Sequence, residues 1–188
     1  GILFGDDPSV TGLERICAAQ FAFGTTALLP TLITDTPDIT AKAIQAGIDA
    51  ATRGVAGFAG LHLEGPHLSV ARKGAHRAEF IRPMSDADLE RLIAAKENLP
   101  TLLVTVAPET VTPEQIAALT GAGVLISLGH SDADAATALA AFDAGASMVT
   151  HLFNAMSQLG NREPGLVGAA LAAGVWAGLI ADGIHVHP

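Results

Sequence analysis

Apolar stretches of strand length alternate along this chain with alanine-rich, charge-bearing stretches of helical length. Strands are expected at TTALLPTLI (25–33), FAGLHLE (58–64), TLLVTVA (101–107), GVLISLG (123–129), ASMVTHL (146–152) and AGLIADG (177–183). Helices are expected near 38–53, 85–97, 112–121, 132–144 and 165–173, several behind a hydroxyl or proline that can open a helix. Thr36 precedes Pro37, Ser85 has Asp88 three residues on, Thr112 precedes Pro113 and Glu114, and Ser131 precedes DADAATALAAF. Every strand but the last is followed by a helix, and the strands are apolar enough to be covered on both faces, as a parallel sheet requires. No G-x-G-x-x-G follows a strand, so a (β/α) barrel fits better than a doubly wound nucleotide-binding sheet. A complete barrel of this kind has eight strands. The expected fold is therefore a partial (β/α)8 TIM-type barrel of about six parallel units, strands two to seven, lacking the first and last strands, in a single incomplete domain over residues 1–188.

Composition narrows the partners. With 49% hydrophobic residues and 20 glycines, the 188-residue chain suits an ordered core. A net charge of −9, with ten scattered Lys and Arg, argues against a nucleic-acid surface. An anionic substrate would have to be held by a few local cations or by backbone N–H groups. The single cysteine, Cys17, lies in the apolar helical stretch ERICAAQFAF, which predicts a buried inert thiol, no internal disulfide and a reducing cytoplasm. The uncharged run Gly165 to Ala181 is divided by Gly174 into a short helix and a strand, so no membrane span is expected. The opening GILFGDDPSV has neither an initiator Met nor a signal-peptide pattern and reads as the interior of a larger protein.

In such barrels chemistry collects where strands end. Glu64 closes GLHLE, His130 follows VLISLG and His151 closes SMVTH, three metal-binding side chains at equivalent places. Two imidazoles and a carboxylate suit Zn²⁺, with Fe²⁺ or another divalent ion as alternatives. The competing reading of any one of them is a hydrogen-bonded structural residue. His62 alternates with Glu64 and should point to the same side of its strand in support of the ligand, whereas His67 reads as a loop residue packed beside the site.

Around these residues the segments GLHLEGPHLSVARKGAH, LGHSDA, VTHLFNAM, REPGLVG and ADGIHV occur in that order. Together they resemble the N-acetylglucosamine-6-phosphate deacetylases of the amidohydrolase superfamily, and the resemblance runs from Gly1 to Pro188. It implies a metal-dependent hydrolase that converts N-acetyl-D-glucosamine 6-phosphate to D-glucosamine 6-phosphate and acetate. Carried over, Glu64, His130 and His151 would be the metal ligands and His76 of KGAH would face the acetyl carbonyl. Asn154 and Ala155 of FNAM with Arg162 of REPG would hold the sugar phosphate, and His185 of DGIHV would contact the sugar. The resemblance also implies a homodimer or homo-oligomer in which Arg162 reaches the neighbouring subunit's substrate. The family's ligand-bearing first strand falls before this region. Its catalytic Asp is expected beyond Pro188, since Asp182 belongs to DGIHV at the seventh strand. Two other readings stay open: a different amidohydrolase, such as a deaminase or cyclic-amide hydrolase, and a non-catalytic metal- and sugar-phosphate-binding fragment.

Overall fold

The computed structural model describes residues 2–187. Six parallel strands, β1 (Thr31–Ile33), β2 (Leu61–Glu64), β3 (Leu102–Val106), β4 (Leu125–Leu128), β5 (Met148–Val149) and β6 (Trp176–Ala177), lie side by side in sequence order. Helix α1 (Val10–Phe21) precedes β1. Then α2 (Pro37–Arg53), α3 (Asp86–Asn98), α4 (Pro113–Gly121), α5 (Ala135–Asp143) and α6 (Gly165–Ala173) each connect one strand to the next. A strand order that never reverses puts every crossover helix on the same face, which curves the sheet towards a barrel. A doubly wound sheet would reverse its order part-way.

The alternation of side chains along the strands decides what each face does. Leu32, Leu61, Leu63, Leu102, Val104, Ile126, Leu128 and Val149 are buried in one apolar cluster with Ile44, Leu92, Ile116, Leu119, Ala138, Ala141 and Leu166 of the helices. Their strand neighbours Thr31, His62, Glu64, Thr105 and Ser127 occupy the opposite, concave face, brought level by the parallel register Thr31↔His62, Glu64↔Thr105 and Thr105↔Ser127. Apolar residues of that concave face, Ile33, Leu125 and Trp176, stay exposed at 39%, 43% and 77%. Among the described residues no helix covers this side.

Three helices open as the sequence pattern predicts: Thr36 accepts from the Ile39 N–H, Ser85 and Asp88 form a reciprocal cap, and Thr112 does the same with Gln115. Two expectations are corrected. Helix α5 is capped by Asp134, which accepts from the Thr137 N–H at 2.8 Å, and not by Ser131, whose hydroxyl is drawn off to Glu109 at 2.7 Å. The sixth strand is Trp176–Ala177, with backbone bonds running on only as far as Gly178, and Asp182 folds the segment beyond into a turn by accepting from the Ile184 and His185 N–H groups.

Asp88 does more than cap. It is 6% exposed, takes a two-pronged ion pair from Arg82 and accepts from the Ser85 hydroxyl at 2.6 Å. Arg82 holds its carboxyl well below the usual carboxylate range. Asp88→Asn is expected to lower stability at neutral pH by about 1–2 kcal/mol, the value of a charge-assisted hydrogen bond discounted because Arg82 keeps access to water. A carboxylate depressed on folding contributes stability above its unfolded pKa near 4 and loses it as pH falls towards the folded value. The gap between wild type and variant, measured by urea midpoint, should therefore narrow below about pH 4. A gap that stays constant into acid would remove the ion pair from the account.

Candidate metal and substrate site

Glu64 is the last residue of β2, His130 follows β4 by two residues, and His151 follows β5 by two. The barrel curvature brings all three to one point. His130 Nε2 and His151 Nε2 each lie 3.1 Å from Glu64 Oε1 and 3.0 Å from one another. Both histidines sit in the left-handed backbone region, φ 45° for His130 and 36° for His151, an arrangement that costs a non-glycine residue roughly 1 kcal/mol or more. That strain turns their rings inward.

What lies behind each ring fixes its tautomer. His130 donates its Nδ1–H to the Arg72 carbonyl at 2.9 Å, and His151 donates its Nδ1–H to the Asn154 carbonyl at 3.1 Å. Each neutral ring is thus left with a lone pair on Nε2. Two imidazole lone pairs and a carboxylate oxygen within about 3 Å of one another repel unless they share a cation. The donor set fits a divalent metal ion on that ground. Without an ion, a proton does the same work. Burial opposes charge on both sides, yet the hydrogen bonds from His130 and His151 hold the Glu64 carboxyl well below its usual range, and Glu64 in turn raises His151.

Glu64, His76 and His130 also offer ligand atoms within 4.8 Å of one another, so geometry alone allows a second triplet. The ring of His76 is arranged the other way round. Its Nδ1 accepts the Thr34 N–H at 3.3 Å and lies 2.8 Å from the Thr34 hydroxyl, so the neutral ring carries its proton on Nε2, facing Glu64 Oε2 at 3.8 Å. Burial, with help from His130, pushes its pKa down to about 4, so the ring is neutral at physiological pH. His76 presents a donor where His130 and His151 present lone pairs.

The loop carrying His76 is tied to the end of β4. Ser69 N–H donates to the His130 carbonyl at 2.9 Å, Arg72 pairs with Asp132 at 2.8 Å, and the rings of His76 and His130 meet edge to face at 4.3 Å. From the other side, Glu109 accepts from the Ser131 hydroxyl at 2.7 Å and the Asp132 N–H at 2.6 Å. The sequence pattern does not single out Glu109 or Thr34. Both follow strands closely, the one positional signal that could have found them.

His62 points into the barrel but touches hydroxyls rather than Glu64. Its Nε2 lies 2.7 Å from Thr105 Oγ1 and its Nδ1 3.0 Å from Thr31 Oγ1, and the chain of contacts continues from Thr105 to Thr150 and Ser127 at 2.7 Å each. Burial pushes its pKa down to about 4. His67 is 2% exposed and donates its Nδ1–H to the Arg82 carbonyl at 3.0 Å.

The substrate candidates lie in the loops after β5 and β6. Phe153 and Ala155 are left-handed, at φ 77° and 50°, flanking Asn154. Among the described residues the Ala155 N–H has no acceptor, and Arg162 is exposed with no ion-pair or hydrogen-bond partner. His185 is exposed and bonded to Asp182 at 2.7 Å, and shares a shallow pocket with Phe153, Val186 and His187. The Asp expected beyond Pro188 lies outside the described residues.

Similarity to known proteins runs the length of the chain. An N-acetylgalactosamine-6-phosphate deacetylase of Shewanella sp. (strain ANA-3) is 47% identical over 100% of this chain and 48% of its own length. An N-acetylglucosamine-6-phosphate deacetylase of Bacillus subtilis (strain 168) is 42% identical over 97% of this chain and 48% of its own. The crystal structure of N-acetylglucosamine-6-phosphate deacetylase from Pasteurella multocida superposes with a TM-score of 0.94 at 38% identity, covering 99% of this chain and 49% of that one. The chain spans about half the length of the curated relatives it matches. The model of the amidohydrolase family matches residues 6–188, and the chain belongs to that family.

Proposed function

We propose that the polypeptide encompassing this chain removes the acetyl group from N-acetyl-D-glucosamine 6-phosphate, giving D-glucosamine 6-phosphate and acetate, with residues 1–188 as an incomplete catalytic barrel domain. The observation that carries this is the meeting of three lone-pair atoms, from Glu64, His130 and His151, opposite the Nε2–H of His76. Glu64, His130 and His151 hold the metal, Zn²⁺ by preference for two nitrogens and an oxygen, with Fe²⁺ or another divalent ion also suited. Such an ion, when bound, polarises a carbonyl and makes water more acidic. His76 donates its Nε2–H to the acetyl carbonyl oxygen and strengthens that bond as negative charge develops there. Asn154 and the Ala155 N–H grip the phosphate together with Arg162 from the second copy of the chain, and the chain's net −9 does not favour that phosphate's charge. His185, steadied by Asp182, contacts the sugar. An Asp beyond Pro188 takes the proton from water and returns it to the leaving amine. The protein works in the cytoplasm, where a lone buried Cys17 stays reduced, as a homodimer in which Arg162 serves the neighbouring subunit.

A second reading concerns the sugar alone. The relative at 47% identity is named for the galactosamine epimer, so the same chemistry on N-acetylgalactosamine 6-phosphate is the alternative. Assaying both phosphorylated epimers and their unphosphorylated forms separates these readings. Against the phosphorylated sugar, Arg162→Ala should lower kcat/KM by about ten- to a hundredfold, the cost of about 1.5–3 kcal/mol for a lost charge-assisted contact. Metal content and the slow turnover of the unphosphorylated sugar should not change. Equal losses on both sugars would make Arg162 structural, and activity on a cyclic amide or an amino-heterocycle in place of either sugar would favour a different amidohydrolase.

A further inference from the structure

We infer that Thr34 is a positioning residue that keeps His76 a hydrogen-bond donor and prevents it from becoming a third imidazole ligand, an inference that rests on the hydrolase reading above. Thr34 directly follows β1 and is 4% exposed. It meets His76 Nδ1 twice, through its backbone N–H at 3.3 Å and its hydroxyl at 2.8 Å. A backbone N–H can only donate, so at 3.3 Å it weakly favours a lone pair on Nδ1, and a neutral ring with that lone pair carries its proton on Nε2. The hydroxyl has one proton to give and two acceptors in reach, His76 Nδ1 at 2.8 Å and the Glu64 carbonyl at 3.3 Å. The shorter contact is to the imidazole.

The position of the Thr34 side chain is itself fixed. A Cβ at Gly65, where φ is +93°, would lie 2.1 Å from Thr34 Oγ1, so the hydroxyl fills the space that the glycine leaves. It is wedged between the turn after Glu64 and the ring of His76. His130 and His151 have carbonyl oxygens behind their rings, at Arg72 and Asn154, and present lone pairs to the centre. The group behind each ring thus sorts three similar side chains into two ligands and one donor, and for His76 that group is Thr34.

The test uses the full-length polypeptide with ¹⁵N-labelled imidazoles, metal-free and zinc-loaded, as wild type, Thr34→Ser and Thr34→Val. Wild type and Thr34→Ser should show His76 as the Nε2–H tautomer in both states. Thr34→Val keeps the backbone donor but loses the hydroxyl, and should show averaging between tautomers. Its kcat should fall about three- to tenfold, the value of one neutral hydrogen bond, with KM and zinc content unchanged and with Thr34→Ser restoring the rate. An Nδ1–H signal for His76 in wild type overturns the inference without recourse to any variant. So does a Thr34→Val protein with undiminished kcat, or one whose kcat falls only in proportion to lost zinc. If wild type turns over no amino-sugar phosphate, the functional reading fails, while the imidazole spectra still decide the tautomer.

Discussion

Glu64→Gln in the full-length polypeptide is expected to strip the metal centre. The substitution keeps the shape of the side chain and removes the only negative charge among the three groups whose ligand atoms meet within 3.1 Å. A carboxamide could turn its oxygen to the ion, but it brings no charge to balance a dication in a site that is largely buried. Losing a group that merely orients a ligand costs about 10–100-fold in metal affinity, so losing a charged ligand should cost about a hundredfold or more. Turnover should fall with it, by about a thousandfold at limiting metal, because several kcal/mol of carbonyl polarisation go together with the ion. Metal content after dialysis and a competitive zinc titration measure the first effect, and kcat/KM the second. Retention of one zinc per chain at wild-type affinity would show that the ion is held elsewhere. His151→Asn should behave in the same way, which separates this site from the alternative triplet of Glu64, His76 and His130.

Much of this arrangement can be read from sequence because strand ends are where such a fold gathers polar groups. Apolar runs locate the six strands, and chain order gives the sheet order directly, since parallel βα units have few ways to connect. Glu64, His130 and His151 stand out because a charged or imidazole side chain breaks an otherwise apolar pattern. Lengths are less legible. AGLIADG has the composition of a full strand, but backbone bonding to β5 and the loop after it ends at Gly178, and Asp182 draws Ile184 and His185 into a turn. The segment SDAD after His130 offers two caps, and the choice falls to Glu109, a residue distant in sequence that claims Ser131 and leaves α5 to Asp134. No local rule predicts this. Nor would propensity place His130, His151, Phe153 and Ala155 in the left-handed region that normally selects glycine or asparagine. The strain is held by bonds across the barrel, such as Ser69 N–H to the His130 carbonyl and Leu152 N–H to the Gly178 carbonyl, and these exist only in the folded molecule. Thr34 is hidden for the same reason. As a residue beside an apolar strand it looks like any small polar end, and its partners Glu64 and His76 are 30 and 42 positions away.

His76→Asn should separate chemistry from metal binding. The imidazole is 3% exposed and neutral, and presents its Nε2–H beside the Glu64 carboxylate without contributing a lone pair. Removing an oxyanion donor of this kind typically lowers kcat by about 10²–10³, because the bond strengthens as charge develops on the carbonyl oxygen. A donor that matters chiefly in the transition state leaves KM little changed. Zinc content should stay at the wild-type level, since His130 and His151 keep their own carbonyl partners at Arg72 and Asn154. The expected signature is therefore a protein that is full of metal, binds its substrate and turns it over slowly. Glu64→Gln should give the reverse, a protein deficient in metal and rescued in part by high zinc. Adding zinc to His76→Asn should restore nothing. If it does restore activity, or if His76→Asn purifies without metal, His76 is a ligand, and the triplet of Glu64, His76 and His130 would replace the one assigned to Glu64, His130 and His151.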